Sequence, residues 1–315
     1  MATPSQWIDG ARPRTLPVAV APVAVGTAAA FARGEAQLWP AVLALVVSLS
    51  LQVGVNYAND YSDGIRGTDD VRVGPVRLVG QGLAAPTQVR MAAGISFVVA
   101  ELSGLALVAV TSTWWLLLVG LGCVLAAWYY TGGKRPYGYS GLGEIFVFVF
   151  FGLVATLGTE YTQAHSISWM GVLGSVGVGA LASAILVANN LRDIPTDSVQ
   201  GKNTLAVRIG DGGTRALYYG LVAVSVAVVL VCAALQVVTP PPADPGALRT
   251  LSPLGHGAPS ALVALPAYVF ALPLLRVLRR GATGRDLIPV LAGTGRFQLV
   301  WSLLLAAGIA ASPHL

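Results

Sequence analysis

The sequence predicts an all-α integral membrane protein of about nine transmembrane helices, folded as a single domain over 1–315. Three observations predict it. Of 315 residues, 55% are hydrophobic and 10% charged, with a mean hydropathy of +0.71, whereas soluble chains carry about 25% charged residues. Apolar runs near the ~20 residues that cross a bilayer recur along the whole length. Thirty-seven glycines suit helices in lipid, where small residues let backbones approach closely.

The runs fall in order at about 16–34, 38–58, 91–110, 114–131, 143–161, 169–190, 215–238, 260–278 and 287–312. Pro17 and Pro22 interrupt the first, and Arg296 lies inside the last. Arg12 and Arg14 ahead of an apolar stretch also fit a signal peptide, but eight further spans follow. Trp114, Trp115, Trp128, Tyr129 and Tyr130 at the ends of the fourth run read as interfacial aromatics. The segment 239–260 is proline-rich and low in charge, an outer loop without chemistry. Cys123 and Cys232 lie within spans, and His165, His256 and His314 are scattered, so no thiol or imidazole metal site is expected.

Sixteen of the nineteen Lys and Arg residues fall in alternate connections. The positive-inside rule makes that face cytoplasmic. The expected protein is multi-pass in the cell inner (cytoplasmic) membrane, with its N-terminus cytoplasmic and its C-terminus extracytoplasmic. The net charge of +5 reflects these anchors, and no nucleic-acid partner is expected.

Two cytoplasmic connections hold most of the acid. In "NYANDYSDGIRGTDD", four aspartates crowd into positions 60–70 directly after an apolar span. In "NNLRDIPTDSVQGKNTLAVRIG", Asp193 and Asp197 are four apart, as are Asn59 and Asp63 in the first. If the second span continues as helix beyond Asn56, Asn59 and Asp63 share a face. Pro195 disfavours a continuous helix across the second pair. Oxygen donors without histidine or cysteine suit a hard cation, Mg²⁺ above all, which binds through one or two carboxylates plus substrate phosphates. Arg66, Arg72, Arg77, Arg192, Lys202 and Arg208 would then contact phosphate oxygens. A lipid diphosphate combines such a head with a tail that belongs in the bilayer.

At these two loops the sequence resembles the UbiA superfamily of intramembrane prenyltransferases, whose motifs NDxxDxxxD and DxxxD are matched by Asn59-Asp60-Tyr-Ser-Asp63 and Asp193-Ile-Pro-Thr-Asp197. The last aspartate of the first motif is replaced by Gly67, with Asp69 nearby. Further blocks, "ARPRTLPVAVAPVAVGTA", "GGKRPYGYSGLGEIFVFVFFG", "QAH" at 163–165 and the "GKNTLAVRIG" run, resemble the branch that prenylates 1,4-dihydroxy-2-naphthoate. The resemblance implies helices around a central cavity, capped by cytoplasmic active-site loops at about 59–90, 131–142 and 191–214. It implies transfer of a polyprenyl group from polyprenyl diphosphate to 1,4-dihydroxy-2-naphthoate, releasing CO₂ and diphosphate and giving demethylmenaquinone, a step of menaquinone biosynthesis.

The implied site follows residue by residue. Asn59, Asp60, Asp63, Asp69, Asp193 and Asp197 would hold Mg²⁺, with Asp63, Asp193 and Lys202 at the catalytic centre. Arg66, Arg192 and Lys202 would grip diphosphate, and Lys134, Arg135, Tyr137 and Tyr139 would close a third loop over it. Arg12 is the candidate for the acceptor's carboxylate, and Asn56 and Asn190 complete the substrate-binding set. Glu144 lies near the site, and Glu101, in the middle of the third span, is a functional candidate with no assigned role. Two alternatives stay open: a different aromatic acceptor, which the Asp motifs do not separate, and a cation-coupled transporter. Transporter sites lie near the midplane of broken helices, whereas these carboxylates lie at the rim.

Overall fold

The computed structural model describes residues 2–67, 76–134, 136–238 and 258–312. Eleven α-helices order its described residues: α1 Pro4–Ala11, α2 Pro17–Ala32, α3 Leu38–Ile65, α4 Pro86–Thr111, α5 Leu116–Tyr129, α6 Gly143–Val147, α7 Ala155–Ala164, α8 Trp169–Val199, α9 Leu205–Val238, α10 Tyr268–Arg279 and α11 Ile288–Ala310. A π-helical stretch, Phe148–Val154, joins α6 to α7, and a 3₁₀ stretch, Ser260–Ala267, leads into α10.

Seven helical segments are long and apolar enough to cross a membrane, or eight if α1 and α2, bent by 48°, form one broken span. The sequence predicts about nine. The difference lies chiefly in α5, whose 14 residues extend only about 21 Å at 1.5 Å per residue.

Local chemistry sets the helix ends. Thr3 and Gln6 form a capping box on α1, and the Ser168 hydroxyl accepts the Gly171 N–H to cap α8. Helix α9 is broken at Gly210 (φ 71°, ψ −179°), which divides its first six residues from its apolar run. Helix α3 continues through Asn56 to Ile65, so the first acid motif is helical. Helix α8 likewise runs through Pro195 to Val199, and Asp193 and Asp197 sit on one helix.

Helix α8 is the central post. It packs against α9 on one side, α11 and α2 on another, and the α6–α7 segment on a third. Glycine sets the closest of these approaches. A Cβ on Gly152 would fall 2.5 Å from the Gly179 Cα, so the π-helical stretch lies directly on the backbone of α8. Around this post the helices leave an interior space open toward α3, α5 and the α6–α7 segment.

Candidate active site

On α3, Gln52, Asn56, Asn59 and Asp63 recur at spacings of four, three and four, which keeps them on one side of a helix turning about 100° per residue. All four line a cavity of about 720 Å³. Its α3 wall runs from Asp63 back to Ala44, about 28 Å at the helical rise. The deeper part is apolar, with Val47, Leu51, Leu107, Phe146, Phe150 and Phe151 among its lining. Polar groups gather at one end.

Asp63 holds that end together. It is buried, its Oδ1 accepts the Tyr139 hydroxyl, and the Lys202 ammonium stands 3.6 Å away. The same ammonium lies 4.6 Å above the Tyr139 ring, a cation–π contact. The end of α8 aims Lys202 there. Gly201, at φ 71°, takes the left-handed turn after the helix, and the Lys202 N–H donates to the Asp197 carbonyl at 2.9 Å. That six-to-one bond is a Schellman closure, for which glycine is suited. Asn59 is fixed from the third loop, its Oδ1 accepting from the Thr131 hydroxyl at 2.8 Å.

Across the cavity, α8 presents Asn189, Asn190, Arg192 and Asp197. Arg192 donates from Nε and Nη2 to the two carboxylate oxygens of Asp193 at 2.7 and 2.8 Å, and from Nη2 to Asn189 Oδ1 at 2.9 Å. Asp193 itself is buried and is not among the cavity-lining residues. It orients Arg192, which is.

The corner between α1 and α2 closes a third side. Arg12 adopts a left-handed backbone (φ 54°) at the end of α1, its N–H donating to the Asp9 carbonyl. The Asn56 amide donates to the Ala11 carbonyl at 2.8 Å and to the Thr15 hydroxyl at 3.0 Å, and Gln52 donates to the same hydroxyl at 3.0 Å. These contacts fix the turn that puts Arg12 on the cavity wall.

Several expected site residues stand elsewhere. Asp60, expected as a metal ligand, is fully buried and off the cavity wall. Its Oδ2 accepts the Leu78 N–H at 2.7 Å and its Oδ1 the Val79 N–H at 3.2 Å, so it ties the following loop to α3. Arg66, expected on diphosphate, is exposed; its guanidinium donates to the carbonyls of Thr131 and Gly133 and lies over the Tyr139 ring, pinning the third loop. Lys134 and Arg208 are exposed and off the wall. Tyr137 lines the cavity, but its hydroxyl donates to the Ala126 carbonyl at 2.7 Å and its ring stacks on Phe146. Burial pushes that phenol above its ordinary range, so it remains a proton donor to the carbonyl. Asp69, Arg72 and Arg135 lie outside the described residues.

Two further residues named from the sequence stand on the wall. Arg77, expected with the other loop bases on phosphate, is buried and lines the cavity, directly before the two N–H groups that Asp60 holds. Glu101 lines the cavity at depth, far along α4 from the acid motifs.

Among the described residues no group of three His, Cys, Asp or Glu side chains forms a ready metal cage. The donors that do face the cavity near one another in the motifs, Asn59, Asp63 and Asp197, offer oxygen and amide ligands only. That set fits Mg²⁺, which takes few protein carboxylates and completes its octahedron with water and phosphate.

An all-helical chain with two acid-bearing helices facing an apolar shaft defines an intramembrane prenyltransferase of the UbiA class. The chain belongs to that family: the model of the UbiA prenyltransferase family matches residues 19–280. It is 52% identical over 310 residues to 1,4-dihydroxy-2-naphthoate octaprenyltransferase of Mycobacterium tuberculosis (strain ATCC 25618 / H37Rv), covering 98% of each chain. It is 43% identical over 236 residues to the Escherichia coli (strain K12) protein of the same name, covering 73% of this chain and 75% of that one. Its fold matches a UbiA homolog from Archaeoglobus fulgidus bound to GPP and Mg²⁺ with a TM-score of 0.64 at 16% identity, over 98% of this chain and 99% of the other.

Proposed function

We propose that the chain is a Mg²⁺-dependent 1,4-dihydroxy-2-naphthoate polyprenyltransferase of menaquinone biosynthesis. The observation that carries the acceptor is 52% identity across 98% of the chain to a protein of that activity. The cavity supports the chemistry: a polar end with paired acids and bases opens into an apolar part that suits a polyprenyl tail, the whole α3 wall running about 28 Å.

In this reading Asn59, Asp63 and Asp197 would hold Mg²⁺. The metal, when bound, neutralises charge on the departing diphosphate. Lys202 and Arg192 grip the diphosphate oxygens, with Arg192 held in its fork by Asp193 and Lys202 over the Tyr139 ring. The C–O bond to the allylic carbon breaks with its electron pair on oxygen. The carbon of the ring that bears the carboxylate forms the new C–C bond, and CO₂ leaves with the C–C electrons going back into the ring. Phe146, Phe150 and Phe151 on the wall keep water from the allylic cation. Arg12 faces the acceptor carboxylate, with Arg77, buried, as a second cation on the cavity wall.

The chain then spans the cell inner membrane nine times, with α5 as a short span and α1–α2 as a bent one. The acid motifs and the N-terminus are cytoplasmic, and the C-terminus is extracytoplasmic. The test uses purified protein in detergent, given a polyprenyl diphosphate and each of several aromatic acceptors. Diphosphate release that requires both Mg²⁺ and 1,4-dihydroxy-2-naphthoate is the expected result; release with hydroxybenzoate or homogentisate instead would overturn the acceptor.

A further inference from the structure

The Glu144–Asn190 contact has no part in the chemistry described above. Glu144 stands at the start of α6, 7% exposed. Its Oε1 accepts the Asn190 Nδ2–H at 2.9 Å. Its Oε2 is buried without any hydrogen-bond partner. The Glu144 backbone is fixed as well, since its carbonyl accepts the Ser183 hydroxyl of α8 at 3.0 Å. Asn190 lines the cavity and Glu144 does not.

An asparagine side chain has a donor end and an acceptor end. The donor end of Asn190 is directed at the Glu144 Oε1, which accepts it. The end left for the cavity is therefore the carbonyl oxygen. Its neighbour Asn189 is arranged differently, with its oxygen on Arg192 and its amide toward Asp193 at 3.4 Å. The Asn190 carbonyl thus offers the cavity a neutral hydrogen-bond acceptor on α8, two residues before the arginine, in a region otherwise rich in cations. Diphosphate and carboxylate carry no donors and gain nothing from it. A hydroxyl on an aromatic ring does.

We propose that Asn190 accepts a hydrogen bond from a ring hydroxyl of the acceptor, and that Glu144 is the positioning residue that keeps the Asn190 carbonyl turned to the cavity. The inference rests on the reading that the acceptor is a dihydroxynaphthoate. As the ring carbon bonds the allylic carbon, electron density leaves the adjacent hydroxyl oxygen and its proton loosens toward Asn190 Oδ1. When CO₂ leaves, the electron pair of the broken C–C bond restores the aromatic ring and the proton stays on the hydroxyl. No proton is gained or lost overall, so an acceptor without a titrating group is sufficient. The carbonyl also selects for acceptors that carry a hydroxyl.

The test measures competition against 1,4-dihydroxy-2-naphthoate by 1-hydroxy-2-naphthoate and by 1-methoxy-2-naphthoate, which share the carboxylate and the ring oxygen, the methoxy compound carrying a methyl group in place of the donated hydrogen. The wild-type protein should bind the hydroxy compound more tightly by about 3- to 10-fold, the range of one neutral hydrogen bond. Asn190→Leu should bring that ratio to about one. Glu144→Gln, an isosteric change that lets either amide end face the cavity, should lower it as well. In both variants KM for the polyprenyl diphosphate should be unchanged. An unaltered hydroxy-to-methoxy ratio in monodisperse Glu144→Gln and Asn190→Leu proteins would overturn the proposal and leave the pair as packing. A rise in KM for the diphosphate substrate would overturn it differently, by moving Asn190 to the other substrate. Failure of the underlying reading is seen separately, in wild-type protein that turns over a ring other than dihydroxynaphthoate.

Discussion

Helices α3 and α8 each carry an acid motif to the same cavity, yet they use their carboxylates differently. On α3, Asp63 faces the cavity and meets groups from distant parts of the chain, Tyr139 and Lys202. On α8, Asp193 is held by the residue beside it, through two short bonds to Arg192. The difference bears on what a metal can reach. A lysine at 3.6 Å is a point charge on a flexible stem, whereas a guanidinium fork is fixed in its plane and charge-assisted. In the proposed reading, Asp63 would exchange its lysine for a cation arriving with diphosphate, and Asp193 would serve the same substrate through its arginine. Position in a motif is thus a weaker guide to ligation than the partner a carboxylate already has.

The largest effect should come from Asp63→Asn. A group that stabilises developing charge is worth about 3–4 kcal/mol in the transition state, so kcat for diphosphate release should fall roughly 10²- to 10³-fold in protein that remains monodisperse. A loss below tenfold would remove Asp63 from the metal. Asp193→Asn should act on binding instead. Loosening the Arg192 fork removes a charge-assisted contact of about 1.5–3 kcal/mol, so KM for polyprenyl diphosphate should rise roughly 10- to 100-fold with a smaller change in kcat. An unchanged KM with a kcat loss equal to that of Asp63→Asn would make the two helices equivalent and break the contrast.

A comparable or smaller shift is expected at the third wall. Arg12→Gln should raise KM for dihydroxynaphthoate by roughly 10-fold and leave KM for the prenyl substrate in place, because one charge-assisted contact is lost. Arg12→Lys should recover part of it, since a fork becomes a point charge. Equal rises in both KM values would assign Arg12 to diphosphate. The smallest effect on turnover belongs to Asp60→Asn. An asparagine still offers one oxygen to the Leu78 and Val79 N–H groups, but a buried donor is left poorly satisfied at about 1–3 kcal/mol. Thermal unfolding in detergent should shift downward while the rate per folded molecule stays within a few-fold of wild type.

Much of the frame was legible in the sequence. Apolar length and the two acid motifs followed from composition and spacing, and the shared face of Asn59 and Asp63 followed on the condition, met by α3, that the helix continues past Asn56. What was not legible depended on contacts across the chain. Asn59, Asp60 and Asp63 sit within five residues, and periodicity alone puts Asp60 at the edge of the same stripe; only the N–H groups of Leu78 and Val79 turn it to structural use. Arg66 reads as a phosphate contact until the carbonyls of Thr131 and Gly133 come to it from the third loop. Pro195 suggested a broken helix, but α8 passes through it, since a single proline removes one ladder bond from a helix otherwise held by packing along most of its length. Glu144 was noted as near the site, while its bond to Asn190 joins residues 46 apart in the chain, a pairing no local spacing announces. Lys202, by contrast, reads as a diphosphate contact from its place in the second loop, and the left-handed Gly201 turn after α8 is what aims it.

In the proposed reading Asp63, which faces the cavity, and not Asp60, its neighbour in the same motif, works with the metal. The most direct measurement is the Mg²⁺ dependence of diphosphate release, titrated for wild type, Asp63→Asn and Asp60→Asn at saturating polyprenyl diphosphate and dihydroxynaphthoate. The predicted result is a large rise in the Mg²⁺ concentration for half-maximal rate in Asp63→Asn, together with its loss of kcat, and a wild-type Mg²⁺ midpoint in Asp60→Asn. Superimposable Mg²⁺ curves for Asp63→Asn and wild type, or a midpoint displaced in Asp60→Asn as far as in Asp63→Asn, would contradict it.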